Sequence, residues 1–174
     1  MGRHAPIDII GIIGSSRPTH ELRVLARETA SRLAQEGITI ICGGLGGIME
    51  AACCGAKQAG GLTIGILPGS AAKDANPYVD IPIPTGIGEA RNLIIIKSSP
   101  AVIAIGGGCG TLSEIAFALK TGVTVIGLNT WNLRDISSED LDIIEVQTPE
   151  EAVTEAKKII SKKRFKVHSF RNVL

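Results

Sequence analysis

Short apolar runs alternate with helical patterns along this chain. Residues 7–13 and 101–105 are apolar runs of strand length, and each ends in a glycine-containing loop. Residues 20–36 instead repeat apolar positions at helical spacing, with Thr19 suited to cap the start of a helix and Gly37 its end. This alternation predicts buried parallel strands joined by right-handed helical crossovers.

The complete pattern predicts one α/β domain over residues 1–174, a Rossmann-like, doubly wound three-layer sandwich with a mainly parallel sheet. Further strands are predicted at 38–42, 63–67 and 123–128, with a short edge strand at 79–83; further helices are predicted at 48–59, at 89–98, from Thr111, and from Thr148 to about Ile160. The basic C-terminal tail from about residue 161 is predicted to be a solvated end.

The composition is that of an ordinary globular protein, and it argues against several functions. Of 174 residues, 44% are hydrophobic and 20% are charged, and the net charge of +1 gives no reason to expect nucleic acid as a partner. Aromatic residues, at 3%, are too few for a base-stacking surface. Glycine or charge interrupts the apolar runs before they reach membrane-spanning length, and the first residues lack a signal-peptide core, so we expect a cytoplasmic protein without membrane contact.

The four cysteines do not form a metal-binding pattern. They include no C-x-x-C pair, and the three histidines are scattered, so we expect no metal site. Cys53 and Cys54 fit small buried residues on one helix. Cys42 and Cys109 each lie beside a glycine loop at a predicted strand end, which suggests that these two lie near each other at the mouth of a ligand site.

The most informative stretch is AVIAIGGGCGTLSE, residues 101–114. A buried strand, a glycine loop and a helix start follow in immediate succession, so unpaired helical N–H groups and a partial positive charge face whatever approaches the loop. We predict a phosphate site at Gly107, Gly108, Gly110 and Thr111. The alternatives are a tight turn, and a capping box in which Thr111 caps the helix and Glu114 reaches back to it.

Ligands of doubly wound folds bind outside the carboxyl ends of the strands. The loops at Gly14, Gly43 and Gly106 are predicted to converge there, and the predicted binding residues include Gly14, Ser15, Gly43 and Gly44; a turn role for Ser15 is equally open. Neither glycine-rich loop has the G-x-G-x-x-G spacing of dinucleotide-binding proteins, which disfavours a nicotinamide or flavin enzyme.

Four motifs, GSSRP, GGLGGIMEAA, EARN and GGGCGTLSE, together resemble the Lonely Guy (LOG) family, formerly grouped as lysine-decarboxylase-like proteins, over about residues 7–128. The resemblance implies a homodimer or larger oligomer, such as a homotetramer. It also implies cleavage of the N-glycosidic bond of nucleoside 5′-monophosphates, without a required cofactor, to free base and ribose 5-phosphate. Arg91 matches the upstream arginine of the family, and Glu114 matches the glutamate of its P-G-G-x-G-T-x-x-E hallmark. These two are the candidate catalytic residues, and the adjacent Asn92 is a candidate nucleotide-binding residue.

The resemblance implies roles for both candidate catalytic residues. Glu114 would stabilise positive charge on the ribose ring, bind its hydroxyl groups or activate water. Arg91 would pair with phosphate or assist departure of the base. The structural alternative for Arg91 is a salt bridge to Glu114 or Glu89.

Three positions depart from the hallmark: Gly106 replaces its proline, Cys109 its usual aromatic residue, and Ser113 the first of two adjacent glutamates. EARN also replaces a motif that normally carries methionine and Arg-Lys. The variant resembles a neighbouring branch that includes the molybdenum cofactor carrier proteins, which bind a phosphorylated pterin without turning it over. The implied functions are therefore a phosphoribohydrolase and, alternatively, a carrier whose bound ligand is the molybdenum cofactor. No lysine lies in a recognisable pyridoxal-phosphate context, so lysine decarboxylation gains no support.

Overall fold

A computed structural model describes residues 7–133 and 143–171 of the chain, with side chains through Arg164. Within these residues the strands are β1 (Ile9–Gly14), β2 (Thr39–Cys42), β3 (Thr63–Leu67), β4 (Ile81–Pro84), β5 (Ala101–Ile105), β6 (Thr124–Leu128) and β7 (Ile143–Val146). The α-helices are α1 (His20–Gln35), α2 (Ile48–Gln58), α3 (Asn92–Lys97), α4 (Cys109–Lys120) and α5 (Pro149–Arg171). Short 3-10 helices span Ala72–Asp74 and Gly88–Arg91, and the second runs directly into α3.

The seven strands form one sheet in the order β4-β3-β2-β1-β5-β6-β7, and every neighbouring pair is parallel. The predicted α/β fold class, a Rossmann-like doubly wound sandwich, is therefore confirmed. Helices cover both faces, which explains why the central strands are continuous apolar runs rather than alternating ones. In β5, all five residues from Ala101 to Ile105 are buried.

The helices form two layers of unequal size. Helices α1, α2 and α5 pack on one face of the sheet, where residues such as Leu33, Ile48 and Ala156 join the strands in one apolar core. Helices α3 and α4 pack on the other face, where Ile95 and Ile115 join a second core. The first turn of α1 is capped as predicted, because the Leu22 N–H donates to the Thr19 hydroxyl over 3.4 Å.

The sheet changes direction between β1 and β5. From β1 the chain adds strands outward to β4 on one side, then returns to the centre and adds β5, β6 and β7 on the other side. Because the connections after β1 and β5 leave toward opposite sides, a crevice opens at their carboxyl ends. Gly14 and Ile105 are paired in register at this point, so the loops that follow both strands begin at the same level.

Two features at the C-terminal end differ from the predictions. Strand β7 was not predicted, because its four residues carry no clear alternation and follow a polar stretch. The predicted end of the last helix near Ile160 was wrong, since α5 continues through Arg171 and includes the basic segment from about residue 161. Within that segment Arg164 forms an ion pair of 2.6 Å with Asp8, which ties the helix to the start of the described chain.

None of the described helices combines the length and the apolar character that crossing a membrane requires.

Candidate functional site

A cleft of about 340 Å³ lies at the carboxyl ends of β1, β2 and β5. Its walls come from segments distant in sequence: the loop after β1, the loop after β2, the 3-10 turn before α3, and the start of α4. This is the crevice in which parallel α/β sheets place their ligands. The cleft is the candidate functional site.

Helix α4 begins at Cys109, two residues earlier than predicted, with Gly108 at its N-cap position. No side chain caps this start, and no acidic residue lies in its first turn. The capping-box alternative was therefore wrong: Thr111 lies inside the first turn and Glu114 in the second, and the Thr111 hydroxyl has no hydrogen-bond partner. The open N–H groups and partial positive charge of the helix start are left at the edge of the cleft.

Neither Gly108 nor Gly110 is explained by the packing of the chain itself. A Cβ built on either residue meets no atom within 4 Å, and Gly108 has an ordinary extended φ of −137°. Within a helix, glycine in place of alanine costs about 1 kcal/mol, so Gly110 weakens α4 with no steric gain inside the fold. Both residues line the cleft, where a missing side chain lets a ligand approach the backbone closely.

Arg91 is a buried cation at the junction between the 3-10 turn and α3. Its side chain is 8% exposed, and its terminal nitrogens pack against Gly43, where a Cβ would collide with them and with the sulfur of Met49. Burial lowers the pKa of Arg91, while the negative charge of Glu114 opposes this shift. The guanidinium keeps its charge, because arginine does not lose its proton in proteins.

Glu114 projects from the second turn of α4 into the same cleft and is 8% exposed. Burial raises the pKa of its carboxyl group from 4.5 to about 7; the positive charge of Arg91 opposes the rise, and Glu89 adds to it. The carboxyl group therefore exchanges its proton near neutral pH. No ion pair among the described residues joins Arg91 to Glu114 or to Glu89, so the salt-bridge alternative is not formed.

Three buried side-chain atoms of the described residues lack any hydrogen-bond partner: Arg91 Nε, Asn92 Oδ1 and Thr111 Oγ1. All three residues line this one cleft. An unpaired buried polar group costs about 1–3 kcal/mol, and folded proteins rarely leave one without a reason. A ligand that accepts from Arg91, donates to Asn92 and bonds to Thr111 would satisfy all three.

The structure places most of the predicted site residues on the cleft and two of them elsewhere. Those that line it are Gly14, Ser15, Gly43, Arg91, Asn92, Gly108, Gly110, Thr111 and Glu114. Gly44 has a φ of +71° and donates its N–H to Cys42 Sγ, so a turn accounts for it. Gly107 lies under the indole of Trp131. The Ser15 hydroxyl accepts from the Arg17 N–H over 3.0 Å, so its turn role is also realised.

The sequence analysis missed several lining residues as binding residues, among them Glu89 and Met49. Each follows a signal that could have been used, because Glu89 lies in the EARN motif and Met49 lies two residues beyond a glycine loop. Of the two cysteines expected at the mouth, Cys109 lines the cleft, whereas Cys42 is fully buried with its Sγ 3.5 Å from Cys53 Sγ. Among the described residues, no group of three or more histidine, cysteine or acidic side chains is arranged to hold a metal ion.

Two curated proteins share sequence with most of this chain. An uncharacterised protein of Archaeoglobus fulgidus is 46% identical over 145 residues, which cover 83% of this chain and 91% of that protein. A cytokinin riboside 5′-monophosphate phosphoribohydrolase of Mycobacterium tuberculosis is 34% identical over 128 residues, which cover 68% of each chain.

A solved structure shares the fold over almost its entire length. The molybdenum cofactor binding protein of Rippkaea orientalis superposes with a TM-score of 0.84 at 39% identity, covering 90% of this chain and 99% of that one. The model of the SLOG cluster4 family matches residues 8–153, which include every lining residue named above. The chain therefore belongs to the SLOG cluster4 family, within the LOG-like proteins that the sequence motifs indicated.

Proposed function

We propose that the protein binds a phosphorylated small molecule in the cleft, with the phosphate on the first turn of α4. One observation carries this proposal. The three buried polar atoms without a partner belong to residues that line the cleft, and the uncapped start of α4 lines the same cleft. A phosphate supplies acceptors for helical N–H groups and for the Thr111 hydroxyl. The volume of about 340 Å³ is within the range of pockets for small ligands.

The ligand that we favour is a phosphorylated pterin of the molybdenum cofactor type, which the protein would bind and carry without turnover. The Rippkaea orientalis protein supports this choice, because its similarity extends over 99% of its own length. The replacement of the first hallmark glutamate by Ser113 also supports it. The Ser113 hydroxyl donates to the Gly110 carbonyl over 2.8 Å and lies outside the cleft, so it supplies no second carboxylate there.

Thr111→Val is expected to weaken binding of molybdopterin by at least about tenfold, since the variant removes a hydroxyl whose hydrogen bond to a charged phosphate would contribute about 1.5–3 kcal/mol. Binding can be followed by the fluorescence of Trp131, the only tryptophan, which lies against Gly107. Thr121→Val is the matched control, because Thr121 lies at the far end of α4 and bonds only to its own helix. Equal affinities for both variants and the native protein would contradict the proposed phosphate position.

A second candidate function is hydrolysis of nucleoside 5′-monophosphates at the N-glycosidic bond. The observation that favours it is Glu114, a buried carboxyl group with a pKa of about 7 in the same cleft as Arg91. At neutral pH both of its forms are populated, so it can stabilise positive charge on the ribose or donate a proton to the departing base. Arg91 would hold phosphate or the base. The Mycobacterium tuberculosis relative is consistent with this chemistry.

Release of free base from a panel of nucleoside 5′-monophosphates distinguishes the two functions. We expect the purified protein to release no more base than Glu114→Gln, because a carrier has no turnover to lose. Chromatographic detection of free base is the measurement. Base release by the native protein that Glu114→Gln abolishes would instead establish the phosphoribohydrolase, and the base released would identify the substrate.

Glu114 is also expected to make stability depend on pH. Its folded pKa of about 7 lies above the unfolded value of 4.5, so the folded state holds the proton more tightly. This contribution is complete below pH 4.5 and is lost as the pH rises through 7, an effect on the order of 3 kcal/mol. Urea unfolding of the native protein and of Glu114→Gln at pH 5 and pH 8 measures it. We expect Glu114→Gln to lose most of the difference, and an unchanged difference would assign the pH dependence to other groups.

We also propose that the protein is a homo-oligomer, either a dimer or a tetramer. The face covered by α3 and α4 is the thinner one, and beside it Ile83, Ile87 and Ile94 are 42%, 52% and 39% exposed. Ile83 is in register with Ile66, a core residue of the same face. A second copy of the chain would remove this apolar surface from water.

Light scattering of the purified protein is expected to give the mass of a dimer or tetramer. Ile94→Lys should lower this mass, because a charge would be placed in the contact. Val24→Lys, at a comparably exposed apolar position on α1 of the opposite face, should leave it unchanged. A native protein that elutes as a monomer at micromolar concentration would contradict the proposal.

A further inference from the structure

A pair of buried thiols lies behind the cleft and has no part in the proposed ligand binding. Cys42 ends β2, Cys53 lies in α2, and both side chains are fully buried. Their sulfur atoms are 3.5 Å apart, so they are in direct contact without a covalent bond. A disulfide requires roughly 2.05 Å, so its formation would draw the two sulfur atoms closer together.

The two thiols differ in their surroundings. Contact with the Cys53 thiol, the Gly44 N–H at 3.4 Å and the charge of Arg91 lower the pKa of Cys42, while burial and the charge of Glu114 oppose this shift. The same contact with Cys42, together with burial, raises the pKa of Cys53. The two sulfurs therefore have different surroundings: Cys42 has the polar and charged neighbours that favour attack on an oxidant, and Cys53 lies 3.5 Å away, where it can attack the oxidised sulfur.

The other two cysteines have no comparable partner among the described residues. Cys54 is half-buried and interacts with the Tyr78 hydroxyl, and Cys109 is exposed at the cleft. Access also selects the oxidant, because a fully buried pair excludes bulky disulfide reagents. Hydrogen peroxide is close to water in size, and Gly43, which follows Cys42 directly, lines the cleft through which it would enter.

We propose that Cys42 and Cys53 are a site of reversible oxidation that takes peroxide and forms a disulfide. The Cys42 thiolate attacks one peroxide oxygen, which forms an S–O bond, breaks the O–O bond and releases hydroxide; the proton lost by Cys42 converts it to water. The Cys53 sulfur then attacks the Cys42 sulfur, which forms the S–S bond, breaks the S–O bond and releases a second water with the Cys53 proton. The two sulfurs lose two electrons, and the peroxide gains them.

Oxidation of the two cysteines is expected to change the position of Arg91 in the cleft, because Gly43 follows Cys42 directly. The guanidinium of Arg91 packs so closely on Gly43 that no Cβ fits between them, and Met49 of α2 adjoins the same point. Drawing Cys42 and Cys53 together therefore moves the end of β2 and helix α2, and these are the two segments that lie beside Arg91 at Gly43 and Met49. Because a tightly packed side chain follows such a shift, the oxidised protein should bind its ligand less tightly than the reduced protein.

The disulfide is tested on the full chain by mass spectrometry. Fully reduced protein is treated with one equivalent of hydrogen peroxide, unfolded, and alkylated. We expect two of the four cysteines to escape alkylation, with all four alkylated again after dithiothreitol. Cys54→Ala should behave as the native protein does, whereas Cys42→Ala and Cys53→Ala should each lose the protected pair. No protected pair, or a pair that survives in Cys53→Ala, would overturn the proposal.

The effect on the cleft rests on the proposed function and has its own measurement. Guanosine 5′-monophosphate, which is stable to peroxide, is titrated into reduced and oxidised protein after catalase removes the oxidant. We expect the oxidised protein to bind about tenfold more weakly, with no such difference for Cys53→Ala. Equal affinities would overturn the link to Arg91. If the reduced protein does not bind this nucleotide, the result counts against the nucleotide function, and molybdopterin is titrated in the same way; the alkylation result still decides the disulfide.

Discussion

The parallel pairing of β1 with β5 is the constraint from which the site follows. The two strands lie side by side although the chain builds three other strands between them. A Cβ on Gly14 would meet the Ile105 carbonyl and the side chain of Ile48, so glycine is needed where the loop turns away. This close pairing brings segments together that are far apart in sequence. Gly43, Arg91 and Thr111 share one cleft only because the sheet reverses its order here.

The chemistry of the cleft comes from burying opposite charges without pairing them. Arg91 and Glu114 are each almost completely buried, and each shifts the proton affinity of the other. A direct ion pair would have satisfied both groups and left little for a ligand to bind. Their separation keeps Arg91 Nε available and keeps the Glu114 carboxyl group close to half-protonated at neutral pH. The fold gives up some stability to keep these groups available, as functional sites often do.

The sequence was sufficient for the features that depend on local pattern. Long apolar runs and the glycines near them located β1, β2, β3, β5 and β6 and the loops of the cleft, because a buried parallel strand permits few other compositions. It was not sufficient where several local rules compete. Thr111 and Glu114 satisfy the capping-box pattern, yet α4 begins at Cys109, because the chain turns into the helix directly after the glycines. Strand β7 was missed because it is short and its pairing with β6 depends on tertiary contacts. The position of Met49 against Gly43 depends on packing that no pattern along the chain encodes.

The start of α4 has a consequence for the rate at which a ligand would come and go. A first turn with glycine at its N-cap and again at Gly110 loses more backbone entropy on ordering than other helix starts, and no side chain holds it closed. Local opening of this turn therefore requires little free energy compared with opening of the strands beside it. Part of the binding energy of a phosphate would be used to order these few residues. The ligand would be held less tightly than by a rigid turn, and it would dissociate sooner, which agrees with the proposed role of a carrier.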